Sequence, residues 1–343
     1  MSSTAARPFH PPSDPRWQAL HSEPALEPAL EIVDAHHHLF DRPSWPYRLE
    51  DLLDDFAGGH RVRSSVYVQC GEQYLAEGPA HLRPVGETRF VDAAARRALH
   101  MTEGAVHACA AIVGFADLTL GAAVDEVLEA HLRAAPTRFR GIRHGLSTDP
   151  DPAYARSGPR PSPGLMADPA FREGFARLAP HGLSFDAWLY HPQIPELLEL
   201  ARAFPDTNIV LDHVGGPLGL GGYAGRRDEV FAQWRDSIRA LADCPNVVVK
   251  LGGLGMRLTG FGFDEGRQPP DSTTLAAAWK PWIDTCIEAF GAERAMFESN
   301  FPVDGCSCSY GVLWNAFKRI TADASADEKA ALYQRTARRV YRI

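Results

Sequence analysis

Short, almost continuously apolar runs recur along the chain at residues 32–36, 64–69, 108–115, 139–143, 183–189, 208–212, 247–251 and 295–298. They do not alternate apolar with polar positions, and continuous runs of this length are how strands covered on both faces of a parallel sheet read. Between them lie segments with apolar residues at helical spacing, at 124–134, 169–179, 195–203, 229–242 and 275–290. Strand then helix, repeated around the chain, predicts an α/β fold, a (β/α)8 TIM barrel over 31–343 preceded by a Pro-rich N-terminal arm over 1–30. The rival is a doubly wound open sheet, which carries a Gly-rich phosphate loop after its first strand. In that place stand His36, His37, His38, Leu39, Phe40 and Asp41. A closing Ala- and Arg-rich helix over 326–339 is expected on the barrel's outside. Inserts at 40–64, 149–166, 214–227 and 252–272 follow strand C-termini, where lid loops of this architecture sit.

Composition narrows the function classes. The 343 residues carry 43 acidic and 35 basic side chains, a formal charge of −8, without a Lys/Arg block. That argues against nucleic acid or an anionic membrane surface as partner and leaves a small-molecule substrate. No run approaches the roughly 18 apolar residues of a membrane span, and the first thirty residues lack a basic region followed by an apolar one. The expectation is a cytoplasmic protein. Its Pro-rich arm suggests packing on a neighbouring copy, hence a homodimer. Cys70, Cys109, Cys244, Cys286, Cys306 and Cys308 form neither a disulfide scaffold nor a CxxC site and read as reduced thiols.

Chemistry gathers at the ends of the strands. The first run ends in three histidines, and in a strand His36 and His38 share one face while His37 takes the other. Two imidazoles about 6 to 7 Å apart along the backbone can converge on a zinc-sized ion or grip a substrate. Later strand ends supply Gln69, Arg143, then Asp186, Tyr190 and His191, then His213, Lys250, and finally Glu298 and Asn300. Polar groups at the end of apolar strands are costly unless paired or in use. Asp186 and Asp212 have a plainer reading as residues that orient a neighbouring histidine, and Lys250 as the ion-pair partner of Glu298. His213 stands directly before Val214-Gly215-Gly216-Pro217, a turn sequence that exposes it.

In chain order these residues form motifs. Asp34-Ala35-His36-His37-His38 is similar to a D-x-H-x-H opening, Arg140-Gly141-Ile142-Arg143 to an R-G-x-R strand, Leu211 to Pro217 to D-H-x-G-x-P, and Arg294 to Pro302 to R-x-x-x-G-S-D-W-P. Over residues 31–335 the chain resembles the amidohydrolase-related family of amidohydrolase-superfamily barrels, which includes 2-pyrone-4,6-dicarboxylate lactonase and sugar-acid lactonases. The resemblance implies a hydrolase of a lactone or related cyclic ester of a small carboxylic or sugar acid. It makes His36, His38 and His213 site residues and gives Arg143 the anionic substrate or the reacting carbonyl. One departure matters: the family's Asp is Asn300 here, and an amide neither titrates nor ligates well.

The expected mechanism is water addition to the carbonyl. His36, His38, Arg143 and Lys250 polarise and hold the substrate, His213 or Glu298 manages the protons, and Asn300 can donate to a developing oxyanion. Gln69, Asp186, Tyr190 and His191 are the further substrate-binding candidates. The cofactor expectation is none, or one zinc or manganese ion on His36, His38, His191 and His213. Two alternatives remain: a decarboxylase of an aromatic or unsaturated acid on the same barrel, and a non-catalytic ligand-binding barrel.

Overall fold

A computed structural model describes residues 10–154 and 161–343. The barrel strands are β1 (Glu31–His37), β2 (Arg61–Val68), β3 (His107–Gly114), β4 (Phe139–Ile142), β5 (Ser184–Ala187), β6 (Ile209–Leu211), β7 (Val247–Leu251) and β8 (Ala295–Phe297). They pair in parallel in chain order, β1 next to β2 and onward to β8. Their alternation divides the core in two. Val33, Ala35, Val66, Val68, Ala111, Val113, Val210, Val248 and Met296 form the inner cluster, whereas Ile32, Tyr67, Ile112, Phe139, Phe185, Leu211, Val249 and Phe297 join the cluster that includes the helices. A strand buried on both sides needs apolar residues in both phases, which is why the runs were continuous.

The enclosing helices are α1 (Leu49–Phe56), α2 (Val85–Met101), α3 (Val124–Ala134), α4 (Pro169–Phe175), α5 (Ile194–Ala203), α6 (Arg227–Ala242), α7 (Ser272–Phe290) and α8 (Tyr310–Ile320). Asp168 and Asp271 cap α4 and α7 by accepting the amides of Phe171 (2.9 Å) and Thr274 (2.7 Å), so their starts are written locally. The insert at 40–64 is not irregular: it holds the hairpin Phe40–Arg42/Trp45–Tyr47 and α1.

The seam between β8 and β1 is closed by side chains and loop backbone. The His38 amide donates to Phe301 O and the Asn300 amide to His36 O, both at 2.8 Å. Asp34 points outward into this seam and accepts from Ser299 N (2.8 Å), Ser299 Oγ (2.6 Å) and Tyr310 OH (3.0 Å). Burial pushes its carboxyl up to about 6 against these hydrogen bonds. The β1–β2 register shifts between Asp34 and His37. Ala35 and His36 consequently both belong to the barrel interior, and His37 turns out to Ser65 Oγ at 2.8 Å.

One expectation about the chain ends changes. The closing helix is three pieces, α9 (Ala326–Ala330), a π turn (Ala331–Arg335) and α10 (Thr336–Tyr341). Its end does not lie outside the barrel: Ala337 and Tyr341 join the inner cluster, and the Tyr341 hydroxyl donates to Asp186 at 2.7 Å. An interior that holds a buried carboxylate needs a donor from below, and Tyr341 supplies one. Residues of the arm from 10 onward lie against their own barrel, where Gln18 Nε2 donates to Gly305 O (2.6 Å) and Lys318 Nζ to Leu26 O (2.8 Å). No helix among the described residues is long and apolar enough to cross a membrane.

Candidate active site

Above the apolar floor the barrel interior becomes charged. From β7, Lys250 is fully buried, its Nζ 2.7 Å from Asp186 Oδ2 and 3.0 Å from Asp212 Oδ1. Burial alone would strip its proton, but Asp186, Asp212 and Glu298 outweigh that and raise its pKa. The sequence-based pairing of Lys250 with Glu298 therefore gives way to a triad with Asp186 and Asp212. A cation so deep requires more than one carboxylate, and β5 and β6 present theirs at that depth.

One layer higher are the histidines. His36 Nδ1 stands 3.0 Å from Glu298 Oε2 and 3.1 Å from Lys250 Nζ. Its Nε2 lies 3.3 Å from His38 Nε2 and 3.4 Å from Arg143 Nη1. His38 directs Nδ1 at the Val68 carbonyl, 2.7 Å away. A carbonyl only accepts, so this nitrogen carries the proton and Nε2 is left with its lone pair. Burial, reinforced at His36 by Lys250 and at His38 by Arg143, pushes both imidazoles well below their ordinary pKa, so they are neutral.

Glu298 anchors His213. Its Oε1 accepts the His213 amide at 3.0 Å and faces His213 Nδ1 at 2.7 Å, which fixes the proton on Nδ1 by the same logic. Burial would raise the Glu298 carboxyl; His213 and His36 beside it prevail and hold it at about 2. Two glycines make this possible. A Cβ at Gly252 would collide with the Glu298 side chain and carbonyl, and one at Gly253, where φ is +69°, with the ring-bearing carbons of His213.

Exposure decides which of these groups can meet a ligand. His36, Asp186, Asp212, Lys250 and Glu298 have none, whereas Arg143 retains 8%, His38 4% and His213 3%. The mouth of the cluster is therefore Arg143, His38 and His213, with the carboxylates and Lys250 behind. Arg143 is tied to the Gln69 carbonyl through Nη2 and lies 3.6 Å from Asp212 Oδ2 through Nη1. Trp188 packs edge-on against the His213 ring, centroids 4.7 Å apart.

The remaining predicted site residues fall in different places. Gln69 lies beside Arg143, its Nε2 donating to the Arg143 carbonyl at 3.3 Å. Asp186 is below the histidines, taken up by Lys250 and Tyr341. Tyr190 packs against Trp188 in an aromatic patch with Tyr154. His191 accepts the Leu218 amide at 3.3 Å and packs on Tyr223. Asn300 donates its amide nitrogen to Asp304 Oδ1 at 2.7 Å. Asp212, read above only as an orienting residue, is a core member of the cluster; its signal was its place directly before His213. Among the described residues the group with ligand atoms close enough to hold a metal, all within 4.8 Å of one another, is His36, His213 and Glu298. Of the four expected ligands, His38 and His191 are outside it, and Glu298 is in it.

This barrel with its histidines at the C-terminal mouth has known relatives. The amidohydrolase family model matches residues 33–343, and the chain belongs to the amidohydrolase family, an enzyme of the hydrolase class. Protein y4mH of Sinorhizobium fredii is 33% identical over 92% of this chain and 99% of its own. The L-fucono-1,5-lactonase of Burkholderia multivorans is 28% identical over 91% and 96%. A crystal structure of an amidohydrolase from Burkholderia multivorans with bound zinc superposes with a TM-score of 0.69 at 25% identity, over 91% of this chain and 99% of that one.

Proposed function

We propose that this enzyme hydrolyses a lactone of a small sugar or carboxylic acid. The observation that carries the reading is the mouth itself, where Arg143, His38 and His213 are the exposed members of one cluster. The lactonase identity of the Burkholderia multivorans relative supports it. In the bound state the Arg143 guanidinium faces the carbonyl oxygen and stabilises the negative charge that grows there as water adds. His213, its Nδ1 held by Glu298, accepts the water proton at Nε2 and returns it to the ring oxygen as the carbon–oxygen bond breaks. The products are a hydroxyl and a carboxylic acid, which loses its proton to solvent.

His36, His213 and Glu298 also fit a single zinc or manganese ion, because their ligand atoms all lie within 4.8 Å of one another and Glu298 Oε2, 3.0 Å from His36 Nδ1, accepts no well-formed hydrogen bond. Such an ion supplies Lewis-acid polarisation of the carbonyl when bound. The basic nitrogen left at the mouth is then His38 Nε2. A pH-stat assay over a panel of aldono-1,4- and 1,5-lactones tests the reading: base uptake without carbon dioxide release supports it, and carbon dioxide release would transfer the site to decarboxylation.

A further inference from the structure

The barrel has a second charged end. At the face opposite the mouth, where β1 to β4 begin, a cavity of 570 Å³ is lined by Arg63, Arg138, Arg338, Arg342, His107 and Glu31 among others. That volume lies within the range of small-molecule sites. The arginines come from separate elements: Arg63 from β2, Arg138 from the residue before β4, Arg338 from α10 and Arg342 from the residue after it. A chain of net charge −8 thus gathers four guanidinium groups around one space.

The carboxylates within reach answer only half of this charge. Glu31 Oε1 accepts from Arg338 Nη2 at 2.8 Å, and Asp92 Oδ1 from Arg138 Nη1 at 2.6 Å. Among the described residues the Arg63 guanidinium has only the Ala105 carbonyl, 3.3 Å from its Nη1, and that of Arg342 has neither a hydrogen bond nor an ion pair. The Nε atom of Arg338 is buried and has no hydrogen-bond partner among them either. Burial, and after it the charge of Arg342, lowers the pKa of Arg140, as an unbalanced positive field does. Tyr341, between Arg338 and Arg342, is tied to Asp186 inside the barrel, so the segment that carries both arginines is anchored.

We infer that this cavity binds a small phosphate monoester, whose phosphate is held by Arg63 and Arg342 with Arg338 beside them. Two guanidinium groups lack a carboxylate, and a phosphate monoester at neutral pH brings about 1.5 to 2 negative charges to one centre. Its three terminal oxygens can accept from forks that arrive from different elements, whereas a carboxylate offers one charge in one plane. The site lies at the opposite end of the barrel from the histidines and stands whether or not the lactone reading holds.

The test is calorimetric titration at low salt with glucose 6-phosphate as probe and with glucose and succinate as controls. The parent protein is expected to bind one glucose 6-phosphate per chain with a Kd below about 1 mM, and not to bind glucose. Arg342→Ala, which removes a guanidinium without partners, is expected to weaken binding about tenfold, and Arg63→Ala/Arg342→Ala about 10²-fold. Arg143→Ala, at the mouth, should leave the affinity unchanged. Melting curves check that each variant is folded; if the double variant is not, Arg342→Ala and Arg342→Glu decide. Failure of glucose 6-phosphate to bind, equal binding by Arg342→Ala, or loss of binding in Arg143→Ala overturns the inference, and so does succinate or glucose binding as tightly as the phosphate ester.

Discussion

The Nε2 atoms of His36 and His38 stand 3.3 Å apart, while the Val68 carbonyl keeps the His38 proton on the opposite nitrogen. His36 belongs to the group whose ligand atoms, with those of His213 and Glu298, all lie within 4.8 Å of one another, and His38 stands outside it. Metal-depleted protein is therefore expected to take up a single zinc ion per chain, and His36→Ala to lose that uptake at the same free zinc concentration. Equilibrium dialysis with elemental analysis checks it. Full turnover in a chelated enzyme that takes up no zinc would assign the pair to a shared proton instead.

Lys250 neutralises two fully buried carboxylates. Lys250→Met leaves Asp186 with only the Tyr341 hydroxyl and Asp212 with only the more distant Arg143, and is expected to cost about 3–5 kcal/mol. Adding Asp186→Asn should return part of that loss. Urea unfolding measures both; a loss under about 1 kcal/mol for the single variant would mean the triad is not held as a unit.

Tyr341 donates to Asp186 from beneath the barrel. Tyr341→Phe removes the donor but not the ring, so a destabilisation of about 1–3 kcal/mol is expected, with the His213 surroundings unchanged. Unfolding free energy and lactone turnover, measured on the same preparation, separate the two effects. A larger loss of rate than of stability would place Tyr341 in the working part of the site.

His131 lies on the outer side of the barrel, stacked on Phe139 and bonded to Thr88 Oγ1 (2.8 Å) and the Phe115 carbonyl (3.0 Å). Burial pushes its pKa down from 6.5 to about 4. A histidine depressed in this way is protonated more readily when unfolded, so its contribution is fully present above pH 6.5 and declines as pH falls toward 4. His131→Gln should be less stable than the parent at pH 7.5, and the gap should shrink by pH 5. Melting curves across that range test the sign; a gap that widens in acid would contradict the assigned pKa.

Much of this was written in the sequence. The eight strands read as continuous apolar runs because both their faces are buried, and the polar residues that end them mark the cluster at His36, Arg143, His213 and Glu298. What could not be read is what depends on distance. The partners of Lys250 come from β5 and β6, and nothing local distinguishes them from Glu298. Tyr341 follows Tyr333 and Ala337 at four-residue steps, a stripe that marks a buried face but not that the face enters the barrel. The space for Glu298 is made by Gly252, on the neighbouring strand's loop, and only the folded chain brings them together.

Water adding at the carbonyl carbon, with His213 taking its proton, is the step on which the functional account turns. Turnover of the fastest lactone in ¹⁸O-water, by the parent enzyme and by His213→Ala, measures it directly. The account predicts the label in the product carboxylate and none in the new hydroxyl, with the rate of the variant lowered about 10²-fold or more. Label in the hydroxyl, or a variant as fast as the parent, would contradict it.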